Sequence, residues 1–338
     1  METFCLSLLK AWQKMGIEPV LYTSYAGGVR ESQIPQSVET VCWNVQAKRS
    51  FLRIAKWLRR RPDDPCLALS QEMAVVLLFL KKFRLIKNRI YFRESTDTGK
   101  HYGKIFKHCM QWLWPTLDGI IEQSEYCANV TRRICRGKMP PCMIVRNMMP
   151  IDDRCVNEES FARRSSVRLA CVGSFKRMKG QELLVRSLSE DRDRDWHLTL
   201  WGEGERRFAT EQLVEAMGLA DRITFNDWER DKDKIYRDVE CLVIPSDYEG
   251  LPNVMLEAIL RGKRVSVRPT CVGACELLEE IGIGETWPWR KAMEIPSEQW
   301  MSARDRLAKL CYPETVARGI ANFMEIDIPK DDIRRSHD

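Results

Sequence analysis

Two glutamates eight positions apart, Glu249 and Glu257, lie in CLVIPSDYEGLPNVMLEAILRG at 241–262. The stretch reads as a buried strand, a Gly-Pro turn and a helix start. Glu249 falls in the turn. Glu257 falls about one turn inside the helix, on the face of Asn253. A helix N-terminus offers unpaired backbone N–H groups and the positive end of a dipole, a seat for a diphosphate. Carboxylates beside such a seat repel phosphate, so they read as acceptors for neutral hydroxyls. A diphosphate with hydroxyl-bearing groups on both sides is a nucleotide sugar, and the chemistry expected is glycosyl transfer.

Two further loops follow strands in the same half: GSFKRMKG at 173–180 and GEGE at 202–205. In a parallel α/β sheet all three loops open at the carboxyl ends of the strands, where ligands bind. A departing nucleoside diphosphate gathers negative charge, and a fixed cation there stabilises the transition state. Lys179 stands at the expected helix start and is the best placed cation, whereas Lys176 and Arg177 read as solvated charges.

The elements that must position these loops alternate. Helix 3–15 is followed by strand 17–23, helix 47–61, strand 66–70, helix 72–83 and strand 89–93. Then come helix 104–116, strand 118–123, helix 124–136 and strand 142–146. A polar stretch at 148–166 interrupts the pattern. It restarts with strand 167–172, helix 179–189, strand 196–201, helix 205–217, strand 222–226, helix 231–238, strand 240–244, helix 253–261 and strand 264–268. Strand–helix alternation predicts parallel sheets covered on both faces. The fold class expected is α/β, with two doubly wound Rossmann-like domains facing across a cleft. Residues 1–150 form one domain, 151–166 a linker and 167–327 the second domain with C-terminal helices. Residues 328–338 are a charged tail.

Here the second half resembles the donor domain of the family four retaining glycosyltransferases, which have the GT-B fold. The resemblance runs through VRLACVGSFKRMKG, HLTLWGEGE, RITFNDWE and YRDVECLVIPSDYEGLPNVMLEAILRGK. It implies that Glu249 faces the hydroxyls of the transferred sugar and that Glu257 binds the nucleotide ribose. Lys179 would hold the diphosphate with the backbone of Gly250, Leu251, Pro252 and Asn253. Gly173, Ser174 and Gly202 would line the donor, and Asn226 and Trp228 would lie near the base. Glu249 and Lys179 are thus the candidate catalytic residues. Family members often carry arginine where this chain has Ser174. A nucleotide-sugar epimerase is disfavoured because the Glu-x7-Glu segment follows the transferase pattern.

The first half resembles the acceptor domain through DGIIEQSEYCANVTRRI and IVRNMMPID, with Ser124 and Asn147 as the matching points. Arg93, Glu94 and His101 are the acceptor-side candidates, on an expected polar loop. Family chains open with a strand and a Gly-Gly loop before the first helix, whereas here Met1–Phe4 already reads as that helix. The first domain is therefore expected to lack its first strand, through either a start assigned too late or a truncated copy. The alternative function is a non-catalytic nucleotide-sugar-binding remnant.

Charge is uneven. Residues 1–150 hold 24 Lys+Arg against 12 Asp+Glu, and the remainder holds 30 against 36. On helix 47–61, Arg49, Arg53, Lys56 and Arg60 form one stripe with Trp57 at its edge. A basic acceptor half suits an anionic membrane surface and a lipid-linked acceptor. No motif supports nucleic acid. Thirteen scattered cysteines without a C-x-x-C pair suggest reduced thiols in a cytosol. The apolar run MAVVLLFL at 73–80 is too short to span a bilayer. Neither a metal nor another cofactor is expected. The reading is a hexosyl-type transferase for envelope polysaccharide or lipopolysaccharide, cytoplasmic and peripheral on the inner membrane face.

Overall fold

The structure is a computed structural model that describes residues 2–27, 31–95, 103–149, 166–191 and 195–329. Two units result: Met1–Pro150 with Leu310–Asp338, and Ile151–Lys309.

The first unit runs α1 (Glu2–Lys14), β1 (Val20–Thr23), β2 (Glu39–Cys42), α2 (Phe51–Leu58), β3 (Cys66–Ala68) and α3 (Gln71–Lys82). It continues with β4 (Ile90–Arg93), α4 (Lys104–Leu113), β5 (Gly119–Glu122), α5 (Glu125–Ile134) and β6 (Cys142–Ile144). Ser70 and Ser124 cap α3 and α5 by accepting from the backbone N–H groups of Met73 and Cys127, at 3.3 and 3.1 Å. Every residue of β4 and β5 is buried, as a parallel strand covered on both faces requires. Successive residues serve opposite layers. Phe92 joins the core of Ile54, Leu78 and Trp114, while Tyr91 joins Phe4, Trp12 and Ile121.

The strands of this unit form two sheets, β1-β2 and β3-β4-β5-β6, rather than one. Among the described residues no strand precedes α1. The sequence predicted exposed apolar neighbours where a first strand is lacking. Val20–Thr23 are half-buried at all positions, as are Cys66 and Leu67.

The second unit comprises β7 (Val167–Val172), α6 (Gln181–Glu190), β8 (Trp196–Trp201), α7 (Arg207–Ala216), β9 (Ile223–Asn226) and α8 (Lys232–Tyr236). After these come β10 (Cys241–Ile244), α9 (Asn253–Leu260), β11 (Arg264–Val267), α10 (Val272–Glu280), α11 (Trp289–Glu294) and α12 (Ser297–Cys311). The sheet is parallel with order β11-β10-β7-β8-β9. The chain winds outward from β7 to β9, then returns to β10 on the other side. The strand order therefore reverses between β7 and β10, the point at which such sheets open a crevice for ligands. Burial pushes the Cys171 and Cys241 thiols on these strands up to about 12.

One expectation is corrected. The last helix, α13 (Pro313–Phe323), belongs to the first unit and not to the second. Its Val316, Ala317 and Ile320 close on Phe4, Leu8 and Trp12 of α1. Trp12 Nε1 donates to the Ala317 carbonyl at 3.0 Å, and Lys14 pairs with Glu314 at 2.7 Å. An apolar helix stripe read from sequence does not say which sheet it covers. The expected linker at 151–166 falls outside the described residues except for Ser166, and so does the charged tail beyond 329. The short strand β2 and helices α10 and α11 were missed. At four residues, β2 has too few positions to show a period.

Candidate functional site

The loops after β7 and β10 flank the reversal point, and backbone contacts lock them together. Asp247 N–H donates to the Met178 carbonyl at 2.8 Å. Arg177–Lys179 form a 3₁₀ turn, and Gly180 at φ 72° turns the chain into α6. A Cβ on Gly180 would lie 2.2 Å from the Pro245 carbonyl oxygen, so only glycine permits this approach. The helix therefore starts at Gln181, two residues after Lys179, which the sequence placed at its first position.

The loop after β8 joins them. Gly173 N–H donates to Trp201 O, and Gly202 N–H to Asn226 O, at 2.9 and 3.0 Å. These bonds carry the ladder one residue beyond each strand. Phe175 N–H donates to Glu203 O at 2.8 Å, and Ser174 O accepts from Gln181 Nε2 at 3.1 Å. Phe175 is buried and stacks on Phe225. Gly173, Ser174, Gly202 and Asn226 thus form one rim.

Glu249 and Lys179, the two candidate catalytic residues, are brought into direct contact through Oε1 and Nζ. Ser246 Oγ donates to the same carboxylate oxygen at 3.1 Å. Both members are mostly withdrawn from solvent, with Lys179 25% and Glu249 15% exposed in their side chains, while Lys176 and Arg177 are fully on the surface. Immediately after this pair, Gly250, Leu251 and Pro252 are buried and lead into α9 at Asn253. The N-cap residue of α9 is Pro252, which has no side-chain acceptor, and the first turn carries the positive end of the helix dipole.

Glu257 has a separate set of partners. Its Oε2 lies 3.2 Å from Lys232 Nζ and accepts from Tyr236 Oη at 3.2 Å. Burial, then the Glu257 carboxylate, hold the Tyr236 phenol well above its ordinary value, so it remains a donor. Lys232 Nζ also lies 4.9 Å from the centroid of the half-exposed Trp228 ring. Ser246, Lys232 and Tyr236 were missed from the sequence. Lys232 sits in a run of mixed charge, and nothing local marks its reach across to α9.

In the first unit, Arg93 and Glu94 are each 2% exposed, so they lie in the interior rather than on a polar loop. Arg93 ends β4, with its guanidinium 3.6 Å from the Phe4 ring centroid and a hydrogen bond to Asn147 Oδ1. Desolvation lowers its pKa to about 10. Glu94 Oε1 accepts from Ser95 N–H at 2.8 Å and from Gln71 Nε2 at 3.4 Å. His101 lies outside the described residues.

Residues 166–287 match the family described as glycosyl transferases group 1. An uncharacterised glycosyltransferase of Methanocaldococcus jannaschii is 22% identical over 244 residues, 66% of this chain and 60% of that protein. The lipopolysaccharide core biosynthesis glycosyltransferase LpsD of Rhizobium meliloti is 34% identical over 92 residues, 27% of this chain and 26% of its own. The chain thus spans less than two thirds of these relatives. The crystal structure of Anabaena HepE in complex with UDP superposes with a TM-score of 0.76 at 14% identity, over 96% of this chain and 95% of that one. The reversal-point loops and the Glu-x7-Glu helix lie inside the segment that is similar to the group 1 glycosyltransferases, and the fold of the chain is that of the GT-B glycosyltransferase structures over 96% of its length.

Proposed function

We propose that the protein is a retaining glycosyltransferase that moves a sugar from a nucleotide-sugar donor to a glycan or lipid-linked acceptor. The observation that carries this is the Lys179–Glu249 contact in the loop that leads into α9. An ammonium meets a carboxylate four residues before the positive end of a helix. When a donor enters, the diphosphate takes Lys179 and the α9 terminus, and the sugar hydroxyls take Glu249. Glu257, oriented by Lys232 and Tyr236, accepts from the ribose, with Trp228 beside the base. As the glycosidic bond breaks, charge passes to the diphosphate, where Lys179 stabilises it. The departing phosphate oxygen takes the proton of the acceptor hydroxyl on the same face, so configuration is kept. UDP-sugars are the proposed donors, supported by the UDP and UDP-glucose complexes of HepE. Envelope polysaccharide or lipopolysaccharide synthesis is the proposed setting, supported by LpsD, at the cytoplasmic face of the inner membrane. Acceptor-side roles for Arg93 and Glu94 would be indirect, since both are interior.

The test is donor binding and turnover on the whole chain. UDP at about 100 times its Kd stabilises by about 2.7 kcal/mol, an upward Tm shift of about 5–10 °C. Glu257→Ala should weaken UDP by about 10–100-fold while leaving inorganic pyrophosphate unaffected, because only the ribose contact is lost. Glu249→Gln should lower turnover by about 100-fold or more with UDP binding kept. Unchanged turnover would remove Glu249 from the mechanism. The divided sheet of the first unit favours a second reading, a nucleotide-sugar binder without turnover. UDP binding with no transfer to any acceptor, and no hydrolysis, would select it.

A further inference from the structure

We propose that Ser246, held by the loop between β11 and α10, is a positioning residue for Glu249. It ties one oxygen of that carboxylate to the protein and leaves the other for a sugar hydroxyl. The inference rests on the glycosyltransferase reading and adds to it a residue and an atom. Both donors that reach Glu249 use Oε1: Lys179 Nζ, and Ser246 Oγ at 3.1 Å. Oε2 makes no hydrogen bond among the described residues. The side chain is only 15% exposed, so an acceptor there gains more from a ligand's O–H than it would in open water. An ionised carboxylate accepts and does not donate. Oε2 therefore fits the neutral hydroxyl of a sugar and repels a phosphate oxygen.

Ser246 is buried, and its place is set from the β11 side of the sheet. Its carbonyl accepts from Thr270 Oγ1 at 3.0 Å and from Cys271 Sγ at 3.2 Å. Cys271 is fully buried, and its N–H closes the loop on the Arg268 carbonyl at 2.9 Å. Arg268 Nη1 in turn meets Asp247 Oδ1. On the other side, the Asp247 N–H holds the Met178 carbonyl at 2.8 Å. Residues 246 and 247 are thus clamped between the loop after β11 and the turn that carries Lys179. The clamp acts when a donor binds. The diphosphate draws Lys179 away, and Ser246 is then the donor left on Oε1 among the described residues. Without that hydroxyl the carboxylate is shielded, unpaired at Oε1 and free to rotate, so Oε2 is no longer fixed against the sugar. Ser246 therefore acts through Glu249, on the sugar and not on the nucleotide.

Calorimetric titration of the whole chain tests it, with UDP, UDP-glucose, UDP-galactose and UDP-N-acetylglucosamine as probes. The readout is the Kd of the best-bound UDP-sugar divided by the Kd of UDP. Ser246→Ala should raise this ratio by about tenfold, the worth of a shielded hydrogen bond to a charged group, with the Kd of UDP unaltered. Ser246→Cys is isosteric with a weaker donor and should fall between the alanine variant and wild type. Thr270→Val with Cys271→Ala frees the Ser246 carbonyl and should raise the ratio in the same direction by a smaller factor. Independently of any donor, the Tm losses of Ser246→Ala and Glu249→Gln should combine to less than their sum in the double variant, because the two residues share one contact. An unchanged ratio in Ser246→Ala would overturn the proposal. So would equal weakening of UDP and UDP-sugar, which marks a merely structural role, or Tm losses that add. A wild type that binds none of the four probes counts against the donor reading, and the Tm comparison on the same chain still decides whether Ser246 holds Glu249.

Discussion

Lys179→Met is expected to lower kcat by about 10²–10³-fold, the usual cost of removing one preorganised group that meets developing charge. The substitution preserves the length of the side chain and removes the ammonium. Without donor, that ammonium touches Glu249, and both groups are largely shielded from water. The charge is therefore held in place before the diphosphate arrives and needs little reorganisation. Glu249 keeps its Ser246 partner in the variant but loses the ammonium while shielded from water, so a lowered Tm should accompany the loss of kcat. Steady-state kinetics at saturating donor, with UDP affinity measured separately, provide the check. A kcat within threefold of wild type would mean that the α9 terminus alone carries the leaving group. The double variant with Glu249→Gln should cost less than the product of the two single losses, because the groups act on one event.

Gly180→Ala should be the most damaging single-methyl change near the site. The residue sits at φ 72°, where a side chain is strained, and the added Cβ would lie 2.2 Å from the Pro245 carbonyl oxygen. Backbone must move, and the backbone concerned joins the loops after β7 and β10. A loss of about 3 kcal/mol is expected, lowering Tm by about 6–12 °C. Lys179 precedes the glycine, so UDP binding should weaken as well. Gly218→Ala is the control. It has φ 65° but nothing within 4 Å of the added methyl, so it should cost only about 1–2 kcal/mol. Equal losses at the two positions would show that the clash with Pro245 is absorbed and only the dihedral matters.

The contrast between these glycines bears on what was legible beforehand. Gly180, Gly202 and the Gly250–Pro252 turn could be placed at strand ends from the sequence, because turn chemistry is local. The role of Gly180 could not, because Pro245 lies in another loop. Arg93 and Glu94 were misjudged for a related reason. Two charged residues at the end of a strand look solvent-facing, yet Phe4 and Asn147, distant in the chain, enclose Arg93.

By itself, the sequence determined the alternation of parallel strands and helices, the three loops at their carboxyl ends and the Glu-x7-Glu helix. Periodicity, capping and glycine turns act over a few residues and need no neighbour. Only the tertiary structure decided that Lys179 meets Glu249 across 70 residues and that Lys232 and Tyr236 hold Glu257. It alone decided that α13 closes on α1 and that the strands of the first unit divide into two sheets. Those outcomes depend on which strand lies beside which and which apolar face finds which core. Burial energy is non-directional and settles such pairings only when the whole chain is packed.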